Sequence, residues 1–159
     1  MTYLNRKTDK TGRIEIMKMK HVIFSLMICL PVVASGQLAV IVNEKNEIES
    51  LTEEQVSNIY LGRSYYLPNG VKVIPLDQSE GDSTREAFYE HILGKSQAQI
   101  NSHWSRQIFS GKGRPPFKVN GDKEMLELIS LNPNMMGYID FDEEDSLNAQ
   151  HIKIILVIE

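Results

Sequence analysis

Short apolar runs alternate along this chain with segments whose apolar residues recur at helical spacing. The apolar runs are rich in β-branched residues and predict strands over residues 38–42, 71–76, 136–140 and 152–158. The segments between them predict helices over residues 52–61, 83–93, 96–109 and 121–131. This alternation is typical of an α/β domain, and we expect a mixed, largely parallel sheet flanked by helices.

The amino-terminal segment differs from the rest of the chain. Lys18 and Lys20 precede an apolar run at residues 22–33, and residues 34–36 follow with small side chains where a signal peptidase cuts. The run is shorter than the ~20 residues that span a bilayer. We therefore interpret residues 1–36 as an N-terminal extension and signal peptide, and residues 37–159 as one exported domain without stable membrane insertion after cleavage.

Cleavage after residue 36 changes the composition of the chain. The full sequence has 159 residues, with 17 basic residues, 21 acidic residues and one cysteine. Residues 37–159 keep 11 basic and 19 acidic residues, a formal net charge of −8, and no cysteine. This length supports one hydrophobic core. The absence of cysteine excludes disulfides and a cysteine-based zinc site, and the negative charge gives no support for nucleic-acid binding.

Polar residues that follow predicted strands are the candidates for ligand binding. In open α/β sheets, ligands bind beyond the carboxyl ends of the strands, often at a helix N-terminus. Segments at residue 43, at residues 77–85 and at residues 137–138 are expected at such an edge. The candidate residues are Asn43, Ser79, Ser83, Thr84, Arg85, Gly137 and Tyr138.

The second of these segments has the strongest chemical signal. Ser83 or Thr84 is predicted to cap a helix, so free N–H groups, hydroxyls and the Arg85 guanidinium would meet as an oxyanion site without a metal. In the alternative interpretation, Ser83 only caps the helix and Arg85 pairs with Glu86 or Asp82 on the surface. Three acids in this segment would repel a phosphate, namely Asp77, Glu80 and Asp82.

Other motifs carry less specific signals. Residues 110–114 place two cations between glycines, but they lack the phosphate-loop pattern and follow a helix, so they form either a ligand or partner contact or an exposed linker. No second histidine or cysteine stands at ligand spacing from His91, His103 or His151, and no serine has a nucleophile-elbow context. We predict no enzymatic activity, metal or cofactor.

Several segments resemble phosphate ABC-transporter substrate-binding proteins, in the order found in that family. Residues 51–63 resemble the family's L-(S/T)-x-x-x-(L/V)-x-x-I-F-L-G-K segment. Residues 73–76 and the helix with Phe88 resemble I-x-x-x-x-R-x-D-G-S-G-T-x-x-x-F, and residues 133–139 resemble T-P-G-A-I-G-Y-V. Residues 109–116 resemble the F-S-G-K-G-x-P-P segment of short single-domain relatives.

The resemblance implies a type II periplasmic-binding-protein-like fold, reduced to a small single domain. It also implies phosphate or a similar oxyanion as ligand, with Ser83 and Thr84 as donors, and an ABC permease or another envelope protein as partner. The chain departs from the family pattern because Asp77 replaces its arginine and because the chain has about half the usual length. The expected function is periplasmic solute binding. The alternative is a ligand-free interaction module of the cell envelope with the same fold.

Overall fold

The computed structural model describes residues 37–141 and 151–158. The predicted N-terminal extension and signal peptide at residues 1–36 lie outside these ranges. In chain order the elements are β1 (Gln37–Asn43), α1 (Glu53–Tyr60), β2 (Ile74–Gln78), α2 (Ser83–Leu93), α3 (Gln97–Phe109), β3 (Phe117–Val119), α4 (Gly121–Leu131), β4 (Met135–Phe141) and β5 (Ile152–Ile158). Within the described ranges, no helix is long and apolar enough to cross a bilayer.

The five strands form one mixed sheet in the order β3-β2-β4-β1-β5. Strand β2 is parallel to β3 and β4, whereas β1 is antiparallel to both β4 and β5. The predicted α/β class and mixed sheet are confirmed, and parallel pairing is confined to the β3-β2-β4 half. Because β1 runs opposite to β4, the carboxyl end of β1 lies at the opposite edge of the sheet from the carboxyl ends of β2 and β4.

Both faces of the sheet are covered by helices. Leu38, Val40 and Val42 of β1 join a core with residues of α1, α2 and α3. Ala39 and Ile41, which point to the other face, join a second core with residues of α4. A strand buried on both faces has no reason to alternate with polar residues, which explains its continuous apolar run.

Two parts of the sheet differ from the sequence prediction. Strand β2 begins at Ile74 rather than at residue 71 and continues beyond residue 76 through Asp77 and Gln78. Within it, Pro75 pairs with Met136. Strand β3 was not predicted, because it has three residues and a lysine at its centre. Asp77 and Gln78 are each 1% exposed, so the strand extends because these polar side chains find partners in the interior.

The cap of α2 is also different from the prediction, which assigned it to Ser83 or Thr84. Asp82 is the N-cap, and its Oδ1 accepts hydrogen bonds from the backbone N–H groups of Thr84 at 2.9 Å and Arg85 at 3.2 Å. We expect Asp82→Ala to lower the free energy of unfolding by about 1 kcal/mol, because two N–H groups lose their acceptor. Urea unfolding checks this, with the exposed Ser83→Ala as a near-neutral control; an equal cost for the two variants would contradict the assignment.

Candidate functional site

A buried carboxylate at the end of β2 organises the candidate site. Asp77 is 1% exposed, and donors from three other elements converge on it. We call the group the Asp77 cluster; its members are Asp77, Arg85, Tyr89, Lys118 and Tyr138. An ionised carboxylate accepts hydrogen bonds on both oxygens, so it can hold this many donors.

Arg85 forms the ion pair at the centre of the Asp77 cluster. Its Nε lies 3.2 Å from Oδ1 and 3.1 Å from Oδ2 of Asp77, and both side chains are 2% exposed. Its Nη1 donates to Oε1 of Gln97 on α3, and its Cζ lies 4.4 Å from the ring centroid of Tyr89. The predicted surface pairing of Arg85 with Glu86 or Asp82 is therefore wrong, because the guanidinium points inward to Asp77.

Three further donors complete the coordination of Asp77. Tyr138 donates its hydroxyl to Oδ1 at 2.6 Å, and Tyr89 donates its hydroxyl to Oδ2 at 2.7 Å. The Lys118 ammonium lies 2.6 Å from Oδ2 and also donates to the carbonyl of Gln78. The Lys118 side chain is 43% exposed, so it forms the solvent-facing side of the cluster.

The environment keeps the tyrosines of the cluster protonated. Burial raises the pKa of Tyr89 and Tyr138 above the ordinary value of 10.0, and the negative charge of Asp77 raises both further. For Arg85, burial by itself would lower the pKa, but the charge of Asp77, with smaller contributions from the tyrosines, outweighs burial and raises it. The cluster therefore combines the Asp77 carboxylate and two cations, Arg85 and Lys118, with neutral phenol donors.

This arrangement predicts a loss of stability in alkaline solution. Unfolded tyrosines ionise near pH 10.0, whereas Tyr89 in the folded chain holds its proton to higher pH. Its contribution to stability is full below pH 10 and is lost as the pH rises above 10, at about 1.4 kcal/mol per pH unit. Urea unfolding at several pH values between 9 and 11 measures this loss. The free energy of unfolding of Tyr89→Phe should fall less steeply with pH than that of the parent chain. The matched control is Tyr66→Phe, which removes the hydroxyl of a 57% exposed side chain outside the cluster.

Acidic side chains surround the same edge of the sheet. Asp82 occupies the start of α2, and Asp122, in the first turn of α4, accepts a hydrogen bond from the side chain of Gln78. Burial raises the pKa of Asp122, and the nearby charges of Asp82 and Asp140 contribute in the same direction. Glu124 accepts from the backbone and side-chain N–H groups of Asn120. The potential at this edge is therefore more negative than the two cations of the cluster would suggest.

Five of the predicted site residues lie at this edge of the sheet. Arg85 and Tyr138 belong to the Asp77 cluster, and Ser79 donates its hydroxyl to the carbonyl of Val119 at 3.3 Å. Ser83 is exposed and Thr84 is half-buried in the first turn of α2. The structure thus brings together the segments at residues 77–85 and at Tyr138, while the role of these residues in binding a ligand stays a prediction.

Asn43 and Gly137 have different surroundings. Asn43, at the opposite edge, donates its side-chain amide to the carbonyls of Ile129 at 2.9 Å and Ser130 at 2.7 Å, and so binds the end of α4. The expectation that it shares an edge with the residues after β2 is wrong, because β1 is antiparallel to β4. Gly137 lies under α4, where an added Cβ would stand 2.8 Å from Cδ1 of Ile129.

Sequence reasoning missed two members of the cluster and misread a third. Lys118 escaped notice because it lies in the unpredicted strand β3. Tyr89 follows Arg85 by one helical turn, and this spacing could have indicated a shared face. Asp77 was identified only as an acid that would repel phosphate. Among the described residues, no group of three histidine, cysteine, aspartate or glutamate side chains could hold a metal ion.

Comparison with known proteins shows similarity at the level of the fold. No protein-family model and no curated protein matches the sequence. Solved structures do match. A protein of Clostridium perfringens assigned as a phosphate ABC transporter substrate-binding protein, with bound phosphate, is 20% identical with a TM-score of 0.52; the match covers 77% of this chain and 55% of that one.

Two further structures agree with that match. An ABC-type phosphate transport receptor of Vibrio cholerae is 22% identical, with a TM-score of 0.54, over 74% of this chain and 44% of that one. PstS of Borrelia burgdorferi is 16% identical, with a TM-score of 0.57, over 74% and 46%. The chain spans about half the length of these proteins. It therefore has the α/β fold of about half of a PstS-like periplasmic binding protein.

Proposed function

We propose that the domain is a non-enzymatic interaction module of the cell envelope, located in the periplasm, which retains the fold of a phosphate-binding protein without its phosphate capture. A single observation carries the proposal. The two cations of the cluster that could hold an anion at this edge, Arg85 and Lys118, are already bonded to a carboxylate of the same chain, Asp77.

The first reason against phosphate capture is that phosphate would compete with Asp77 for Arg85. A free phosphate would need the guanidinium that Asp77 now holds at 3.1 Å, and both of these side chains are 2% exposed. Breaking a buried ion pair costs about 3–5 kcal/mol, because the remaining charge is left uncompensated. Contacts between phosphate and the other donors at this edge would have to offset that cost.

The second reason against phosphate capture is that N–H groups at the start of α2 already have an acceptor. Its first N–H groups attract anions in general, but Asp82 already accepts from the backbone N–H groups of Thr84 and Arg85. Asp122 is close enough to Asp82 for the two charges to interact. A dianion placed here would lie among carboxylates rather than among free donors.

Oxyanion binding is the second candidate function, with phosphate as the first ligand to test and an ABC permease as partner. It is favoured by Lys118, whose ammonium is part of the cluster yet 43% exposed. The Clostridium perfringens structure with bound phosphate adds support. In this candidate, Lys118 would contact the anion together with the hydroxyls of Ser79, Ser83 and Thr84.

Calorimetric titration with phosphate, sulfate and nucleotides separates the two functions. We expect no saturable heat from phosphate at millimolar concentration that depends on the Asp77 cluster, since Asp77 already binds both of its cations and further acidic side chains surround this edge. A one-to-one isotherm with phosphate that is lost in Lys118→Ala but kept in Lys123→Ala, an exposed lysine on α4, would establish the second candidate and reject the first.

A further inference from the structure

A groove on another part of the surface carries positive charge beside apolar side chains. It has a volume of about 580 Å³ and is formed by the end of α3, the loop that follows α3, and the segment between α1 and β2. We call it the basic groove; its side chains are those of Tyr65, Tyr66, Lys72, Ile108, Lys112 and Arg114. No acidic side chain of the described residues lines it.

The loop that presents Lys112 and Arg114 is hydrogen-bonded to the end of α3 and contacts Tyr65. The backbone N–H of Lys112 donates to the carbonyl of Gln107 at 3.0 Å, and Gly111 has a φ of +67°, which closes the end of α3 in the left-handed conformation. A Cβ at Gly113 would stand 3.0 Å from the Tyr65 hydroxyl, so the loop lies directly on that ring. Lys112 and Arg114 therefore lie on a loop that packs against the rest of the domain, and not on an exposed linker.

The opposite wall of the basic groove is fixed as well. Tyr66 and Lys72 form an antiparallel bridge, and the N–H of Val73 donates to the carbonyl of Tyr65 at 3.0 Å. Tyr66 and Ile108 are each 57% exposed. The groove therefore combines exposed apolar area with cations on both walls, which is the composition of an interface core with a charged rim.

We infer that the basic groove binds an acidic peptide segment of a partner protein, one that carries aromatic or aliphatic side chains between its carboxylates. Charge complementarity carries the inference: Lys72, Lys112 and Arg114 line the groove, and none of them forms an ion pair with a carboxylate of the described residues. The inference rests on the proposed function as an interaction module, and it assigns the basic groove as the surface that binds the partner.

The groove and the net charge of the domain favour a peptide over other polyanions. Residues 37–159 have a formal net charge of −8, which would repel an anionic bilayer or a nucleic acid beyond the groove itself. A peptide seated in a cleft meets the cations locally, within a Debye length of about 10 Å. Its apolar side chains would cover Tyr66 and Ile108, which a small anion would leave exposed.

Fluorescence anisotropy with a labelled peptide of alternating aspartate and phenylalanine tests the inference, on protein expressed from the full sequence. We expect saturable binding that weakens about tenfold in the double variant Lys112→Ala/Arg114→Ala, because two charge contacts are lost. The matched control is Lys45→Ala/Lys123→Ala, which removes two exposed lysines outside the groove and should change the affinity less than twofold.

Three results would overturn the inference: absence of peptide binding, equal weakening by both double variants, or binding to anionic phosphatidylglycerol vesicles in preference to the peptide. A peptide with lysine in place of aspartate should not bind. The phosphate titration reports on the Asp77 cluster through the effect of Lys118→Ala, a residue that does not line the basic groove. A chain that binds neither phosphate nor the peptide therefore rejects the basic groove without rejecting the interaction role.

Discussion

Replacing Asp77 by asparagine is expected to lower the free energy of unfolding by about 3–5 kcal/mol, because Arg85 is left as a buried charge without its counter-ion. Arg85 is 2% exposed, so water has little access to the guanidinium in place of the lost carboxylate. Tyr89 and Tyr138 would also lose the charged acceptor of their hydroxyl hydrogen bonds. Urea unfolding followed by circular dichroism measures the change.

Two controls distinguish the effect of losing the Asp77–Arg85 ion pair from the effect of losing any carboxylate. Glu80→Gln removes a carboxylate in the neighbouring exposed loop and should stay within about 0.5 kcal/mol of the parent chain. The double variant Asp77→Asn/Arg85→Gln should be less destabilised than the sum of its single variants, because no buried unpaired charge remains and Lys118 is 43% exposed. Additive costs would show that Asp77 and Arg85 act independently, contrary to the described ion pair.

Gly137→Ala is expected to lower the free energy of unfolding by about 1–3 kcal/mol through overpacking. Its Cβ would meet Cδ1 of Ile129 at 2.8 Å and Cγ of Met125 at 2.9 Å, and both side chains belong to the core under α4. Thermal or urea unfolding checks the cost. If Gly137 served a ligand instead, the substitution would alter phosphate titration and leave stability unchanged.

Met125→Ala provides the rescue experiment for Gly137. Removing the Met125 side chain opens space beside the new methyl group, so Gly137→Ala should cost less in that background than in the parent chain. An undiminished cost in the double variant would indicate that Ile129 or backbone strain, rather than Met125, resists the Cβ.

Local sequence patterns predicted most elements of the fold. The apolar runs of β1 and β5 and the stripes of α1 to α4 all lie within a few residues of their predicted bounds. The direction of each strand could not be predicted from the sequence, because an apolar run has the same composition in a parallel and an antiparallel pair. The error at Asn43 follows from this, since its place depends on β1 being antiparallel to β4.

The site was only half predictable, for a reason specific to Asp77. Local reasoning treats Ser83, Thr84 and Arg85 as donors for a ligand and treats Asp77 as a repelling charge. The contacts that give Asp77 its role come from α2, β3 and β4, at separations of 8 to 61 residues along the chain. A buried carboxylate with this many distant donors is recognised only when the tertiary structure places them together.

The central claim, that Asp77 holds Arg85 as an internal substitute for a bound anion, is tested most directly by nuclear magnetic resonance of the Arg85 Nε–H group. The signal, assigned by its loss in Arg85→Lys, should be protected from exchange and should not shift when phosphate is added to millimolar concentration. A signal that exchanges rapidly with water, or that shifts saturably with phosphate, would contradict the claim and place Arg85 in an anion-binding site.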